Sequence, residues 1–173
     1  MPVLVAAFVL ATGQINYQPR GPKIEVFLQN GKSFLIQTDR DSSPQTVTDI
    51  LKLVRQGYYD AQKVHRIESW IVQWGDPKSR VLPPNDPRNG KEVHGIAMIF
   101  EAPPVPFDRG IVGIHSARAR TGGDGQIFIV KKDAHHLGVG YSILGKVIVG
   151  MDVVDSIRKG DRIARMVIVG RGF

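Results

Sequence analysis

The chain has 173 residues, a formal net charge of +7, 42% hydrophobic and 23% charged residues, and no cysteine. The length suits one globular domain with a substantial core, and the balance argues against both a wholly disordered chain and a multi-span membrane protein. Without cysteine there are no disulfides, thiolate metal sites, iron–sulfur clusters or cysteine nucleophiles. From Asp108 to Phe173, 11 basic residues stand against 6 acidic ones, so most of the excess charge lies in the C-terminal part. Such an excess can attract nucleic acid. Yet the basic residues, Arg118, Lys131, Arg158 and Arg165 among them, are scattered, with no interleaved aromatic platform of the kind single strands need. A solvated basic surface is the simpler reading.

The chain opens on an apolar run, Val3 to Leu10, too short to span a bilayer. Its small-residue end at Ala11 and Gly13 suits a secretory signal, but a basic leading segment is missing; an ordered first strand explains the same pattern. Residues 1–22 are therefore set apart, as a signal remnant or a first strand, from a single domain over 23–173. Export and cytoplasmic residence both stay open.

From Ile24 to Thr38, apolar residues alternate (Ile24, Val26, Leu28, then Phe34, Ile36) around Asn30-Gly31, which predicts a β-hairpin. Ser43-Pro44 offers an N-cap and a proline at the first helical position. Val47, Ile50, Leu51 and Val54 then follow on one helical face, and Gly57 is the stop. A second helix is predicted from Met151 to Lys159, with Gly160 ending it. Strands are predicted at His65–Val72, Gly95–Phe100, Gly110–His115, Gln126–Lys131, Tyr141–Val149 and Met166–Gly170. Proline-rich loops, Gly75–Glu92 and Ala102–Arg109, lie between. About eight antiparallel strands with two helices point to a mainly β fold, a closed barrel capped by the helices, because closure removes exposed edges.

Phosphate-loop, HExxH and GxSxG motifs are all absent. The glycine-rich turn Arg120–Gly125 lacks the lysine and the strand–helix setting of a phosphate cradle and reads as a surface loop. His135 and His136 are adjacent, so in an extended segment they diverge, and no Asp or Glu stands at ligand spacing near them or His115. No metal or other cofactor is expected.

Tyr58-Tyr59-Asp60, His65-Arg66-Ile67, Gln73-Trp74-Gly75-Asp76, Gln126-Ile127-Phe128-Ile129 and Leu144-Gly145-Lys146-Val147 occur in an order and spacing that resemble the cyclophilin family of peptidyl-prolyl isomerases. The likeness covers roughly Lys23 to Val169. It implies an eight-stranded antiparallel barrel with a helix at each end and a proline-binding groove on its outer face. The reaction it implies is rotation about an Xaa-Pro amide, whose barrier is about 18–20 kcal/mol. Arg66 is then the catalytic residue, and Gln73 orients the peptide or the arginine. The resemblance places Trp70, Ile71, Phe128 and Leu137 at the proline pocket, and His115, Ser116, Ala117, Gln126, His136 and Tyr141 along the peptide groove. His136 and Tyr141 imply a bacterial-type member with weak cyclosporin binding. Partners would be proline-containing peptides or unfolded proteins, met by a monomer with no nucleic acid and no membrane insertion.

The chain departs from the family pattern at Glu68-Ser69, where the turn is shorter and lacks proline-glycine, and at Trp70, Trp74 and His115. Trp74 puts a bulky indole where the family has a glycine, which would reshape the groove. A proline-peptide binding module of little or no catalytic activity is the second reading.

Overall fold

The computed structural model describes residues 16–91 and 96–170. The N-terminal apolar run and His94 lie outside the described residues. Eight strands form one sheet: β1 (Lys23–Leu28), β2 (Ser33–Thr38), β3 (Arg66–Ile67), β4 (Ile71–Trp74), β5 (Ile111–Ile114), β6 (Ile127–Val130), β7 (Ile143–Val149) and β8 (Ile163–Val169). Their order is β3-β4-β6-β5-β7-β2-β1-β8, and every pairing is antiparallel. The fold class is as expected, but the closed barrel is not. β3 and β8 are edge strands, so the sheet curls without completing its ladder. The seam between them is spanned by an isolated Lys63–Arg162 bridge and by hydrogen bonds such as Val64 N to Asp161 O (2.8 Å).

The β1–β2 hairpin forms at the expected residues. Gly31 takes φ +85°, and Asn30 Oδ1 accepts from Lys32 N (3.0 Å), the pairing that makes Asn-Gly a turn former. Helix α1 runs from Pro44 to Arg55 and buries Val47, Ile50, Leu51 and Val54, as the periodicity requires. Its cap differs from expectation. The Ser43 hydroxyl makes no hydrogen bond to the helix; the first-turn amides of Gln45 and Thr46 donate instead to the two carboxylate oxygens of Glu101 (3.1 and 2.7 Å). A carboxylate at this end also meets the positive pole of the helix.

Three further expectations are corrected. Helix α2 covers only Met151–Ser156, because Ile157 is already extended at φ −62°, ψ 136°. Strand β8 begins at Ile163, three residues before Met166. The described part of the Gly95–Phe100 strand, residues 96–100, joins no ladder. Instead Met98 N donates to Gly123 O (3.0 Å), so this segment is strapped over the glycine-rich turn. That turn is itself only half surface: Gly122, Asp124 and Gly125 are buried.

The curled sheet makes two cores from one alternation. On the concave side Val72, Trp74, Val112, Ile114, Ile127 and Ile129 join the main core under α1. On the convex side Ile71, Ile111, Phe128, Val130 and Ile143 form a smaller cluster with Phe107 and Ala134. The groove residues rest on that second cluster. Among the described residues, no helix is long and apolar enough to cross a membrane.

Candidate active site

A cavity of about 310 Å³ opens over the convex cluster, between β4, β6 and the loop after β5. It gathers 11 of the 12 residues singled out from the sequence: Arg66, Trp70, Ile71, Gln73, His115, Ser116, Ala117, Phe128, His136, Leu137 and Tyr141. The twelfth, Gln126, is not on its wall. It is fully buried behind Gln73, where its Oε1 accepts from Gln73 Nε2 (3.0 Å).

The apolar end is built by period-2 alternation. Ile71 on β4 and Phe128 on β6 point outward because Val72, Ile127 and Ile129 point inward. Phe128 sits in a ring cluster with Phe107 (5.7 Å) and Tyr141 (6.0 Å, edge to face). Gly113 is what admits the Phe128 ring. A Cβ at that position would stand 2.3 Å from the ring's Cζ, a contact no side chain can make without moving the aromatic into the cavity. At the rim, Trp70 meets His136 edge to face at 4.8 Å. His135 and His136 lie in a 3-10 turn rather than an extended segment. They still diverge, His135 Nε2 turning to Asp108 Oδ1 at 2.6 Å. Asp133 lies close enough for the three ligand atoms to fall within 4.8 Å of one another. Acidic neighbours therefore do exist for His135: Asp133, two residues before it and passed over in the sequence reading, and Asp108, brought by chain folding. All three residues are solvent-exposed.

The polar end is a chain of contacts that starts at Arg66. Arg66 and Gln73 are register partners across the β3–β4 hairpin, so their side chains share a face, and one guanidinium nitrogen donates to Gln73 Oε1 (3.2 Å). Gln73 passes the chain to Gln126, whose Nε2 donates to Asp124 Oδ2 (2.8 Å). Burial alone would raise the Asp124 carboxyl, but His115, 3.5 Å away, and two N–H groups of Gln126 hold it below the usual carboxylate range. Behind the chain lies His65, 5% exposed, with neither ring nitrogen hydrogen-bonded within the protein.

Sequence reading did not give Glu68 a role, though it stands in the altered turn. Its Oε1 accepts from Arg66 Nε (2.7 Å) and lies 2.6 Å from a second guanidinium nitrogen; its Oε2 accepts from Trp70 Nε1 (2.9 Å). The pair is half exposed, so its contribution to stability is about 1 kcal/mol or less. Its geometric effect is larger. A guanidinium has five N–H donors; Glu68 and Gln73 take three, which leaves two for a ligand beside the apolar wall. The feared effect of Trp74 is absent: the indole is fully buried in the opposite core.

His65 makes stability depend on pH. Burial lowers its pKa from 6.5 to about 4, so protonation belongs to the unfolded chain. The stability it contributes is complete above pH 6.5 and is lost as pH falls toward 4, at up to about 1.4 kcal/mol per pH unit. Urea unfolding at pH 5 should give a free energy about 2 kcal/mol below that at pH 7. His65→Gln should flatten that difference; an equally steep loss in the variant would refute the assignment.

Residues 24–169 match the family described as cyclophilin type peptidyl-prolyl cis-trans isomerase/CLD. The chain belongs to this family. A probable peptidyl-prolyl cis-trans isomerase of Brucella abortus is 33% identical over 126 residues, covering 69% of this chain and 63% of the relative. This cyclophilin therefore spans less than two thirds of that relative's length. A peptidyl-prolyl cis-trans isomerase of Arabidopsis thaliana is 31% identical over 144 residues, covering 81% of this chain and 84% of its own. A Cryptosporidium parvum cyclophilin superposes with a TM-score of 0.71 at 23% identity, over 87% of this chain and 99% of that one.

Proposed function

We propose that this cyclophilin accelerates cis/trans rotation about Xaa-Pro bonds in peptides and unfolded proteins. One observation carries the reading: an arginine with two spare N–H groups stands at the rim of an apolar cavity floored by Phe128 and Ile71. In the planar amide the prolyl nitrogen shares its lone pair with the carbonyl. At the twisted transition state the lone pair is localised and accepts a hydrogen bond well. A donor fixed at that position binds the transition state more tightly than either ground state, which is the condition for rate acceleration. The pyrrolidine ring occupies the apolar end, and the guanidinium meets the amide. No bond breaks, so no nucleophile or general base is required. In support, the Cryptosporidium parvum neighbour is also described in the presence of the dipeptide Ala-Pro, the smallest unit that carries such a bond.

Glu68 favours the second reading, a proline-peptide binder without catalysis, because it competes with the peptide for Arg66. Exchange NMR on a short Ala-Pro-Phe peptide separates the two. A catalytic amount of the protein should bring cis/trans exchange from tens of seconds to well below one second. Peptide shift changes with exchange still slow would overturn the catalytic reading and leave the binder.

A further inference from the structure

Arg66, Gln73 and His115 form one wall of a second cavity, of about 330 Å³, on the far side of the guanidinium. Its remaining lining includes His65, Asn89 and Lys159. It differs in chemistry from the proline pocket, since among the described residues Pro87 is the one aliphatic side chain on its lining and the carboxylate of Asp86 also stands there. It also holds polar atoms with no partner inside the protein: both ring nitrogens of His65 and Oδ1 of Asn89. Leaving such buried groups unpaired costs about 1–3 kcal/mol each, so a cavity lined by several of them is shaped for a polar occupant.

The charges indicate the sign of that occupant. The acids on or near this wall are already engaged. Both Asp86 oxygens accept from Arg88 (2.9 and 2.7 Å), Asp76 accepts from Gly90 N (2.6 Å) and Lys78 N (2.9 Å), Asp124 is held by Gln126, and Glu68 faces the other side of Arg66. Among the described residues Lys159 has no ion pair or hydrogen bond, and Arg66 has N–H groups to spare. His65, kept neutral by burial, offers an N–H. Donors therefore exceed acceptors, and Asn89 Oδ1 is placed to take a backbone N–H of a passing chain.

We infer that this cavity is a subsite for an anionic side chain, a carboxylate or a phosphate monoester, carried by the client peptide within a few residues of its proline. The inference rests on the proposed reading of the adjoining cavity as the proline pocket. An extended peptide advances about 3.3 Å per residue, so a chain with its proline over Phe128 crosses Arg66 within one or two residues. Arg66 then serves two functions, donating to the prolyl amide on one side and walling the anion site on the other.

The test uses an alanine-rich Xaa-Pro peptide in which Glu or Gln is placed in turn at each of the two positions before and after proline. At one position Glu should raise kcat/KM about tenfold over Gln, the factor that one charge-assisted hydrogen bond supplies. That Glu/Gln ratio, which cancels any general effect on turnover, should fall to near one in Lys159→Gln and shrink in 0.5 M salt. Phosphoserine at the same position tells the sources apart: a larger gain than Glu assigns the site to phosphate, and an equal or smaller one to carboxylate. A ratio within twofold at every position, or one that persists in Lys159→Gln, overturns the subsite. If neither peptide is accelerated, the same ratio read as affinity from chemical-shift titration still decides the subsite, while the catalytic reading fails by itself.

Discussion

Replacing Arg66 by alanine should lower kcat/KM for an Xaa-Pro peptide about a hundredfold, equivalent to about 2.7 kcal/mol of lost transition-state stabilisation. The loss should fall on kcat, because the donated hydrogen bond strengthens only as the amide twists, while the apolar wall that holds the proline ring is untouched. Arg66→Lys should recover little. Its ammonium is a point charge on a flexible stem and cannot reproduce a planar fork already anchored by Glu68 and Gln73. Because the Arg66 side chain is 41% exposed, the variant's unfolding free energy from urea titration should stay within about 0.5 kcal/mol of the parent's. Exchange NMR at saturating and sub-saturating peptide separates kcat from KM. A kcat/KM within threefold of the parent would remove Arg66 from the mechanism and leave shape alone to act on the amide.

What was legible in the sequence follows from the range of each signal. Alternation is local: it gave a strand at Gln126–Lys131 and one ending at Val72, but left Trp74 beyond the latter and expected at the groove, whereas β4 runs on to Trp74 and turns the indole into the main core. Nor can alternation say whether a strand finds a ladder. Residues 96–98 alternate, yet the segment is held by one bond to Gly123 O. The cap of α1 shows the same limit: Ser43 has the right type and place, but Glu101, 55 residues beyond Thr46, supplies the acceptors. The seam between β3 and β8 was missed because eight strands fit a closed or an open curl equally well. Glu68 is a different case. Its spacing from Arg66 is visible in the sequence, but residues two apart share a face only while the strand continues; β3 ends at Ile67, so Glu68 lies in the turn, and only the hairpin register settles which way it faces.

Trp74→Ala should cost about 3–5 kcal/mol of folding free energy, the range for deleting a large buried aromatic, and lower Tm by about 8–15 °C for a chain of this size. The indole is fully buried, packs edge to face on Phe34 at 6.2 Å and belongs to the main core, so its removal leaves a large cavity there. Trp74→Phe should be much milder, below about 1.5 kcal/mol. It keeps most of the ring volume and removes the indole N–H, which is buried without a hydrogen-bond partner and so opposes folding. Both variants should bind an Xaa-Pro peptide as the parent does at temperatures where they are folded, since Gln73 and Trp74 face opposite sides of β4. Urea titrations of the three proteins measure the first pair of effects and chemical-shift titration the last. An alanine variant destabilised by less than 1 kcal/mol would mean that the tryptophan is not core. A folded alanine variant with weakened peptide binding would mean that the indole reaches the groove after all, as the family comparison of that one residue first suggested.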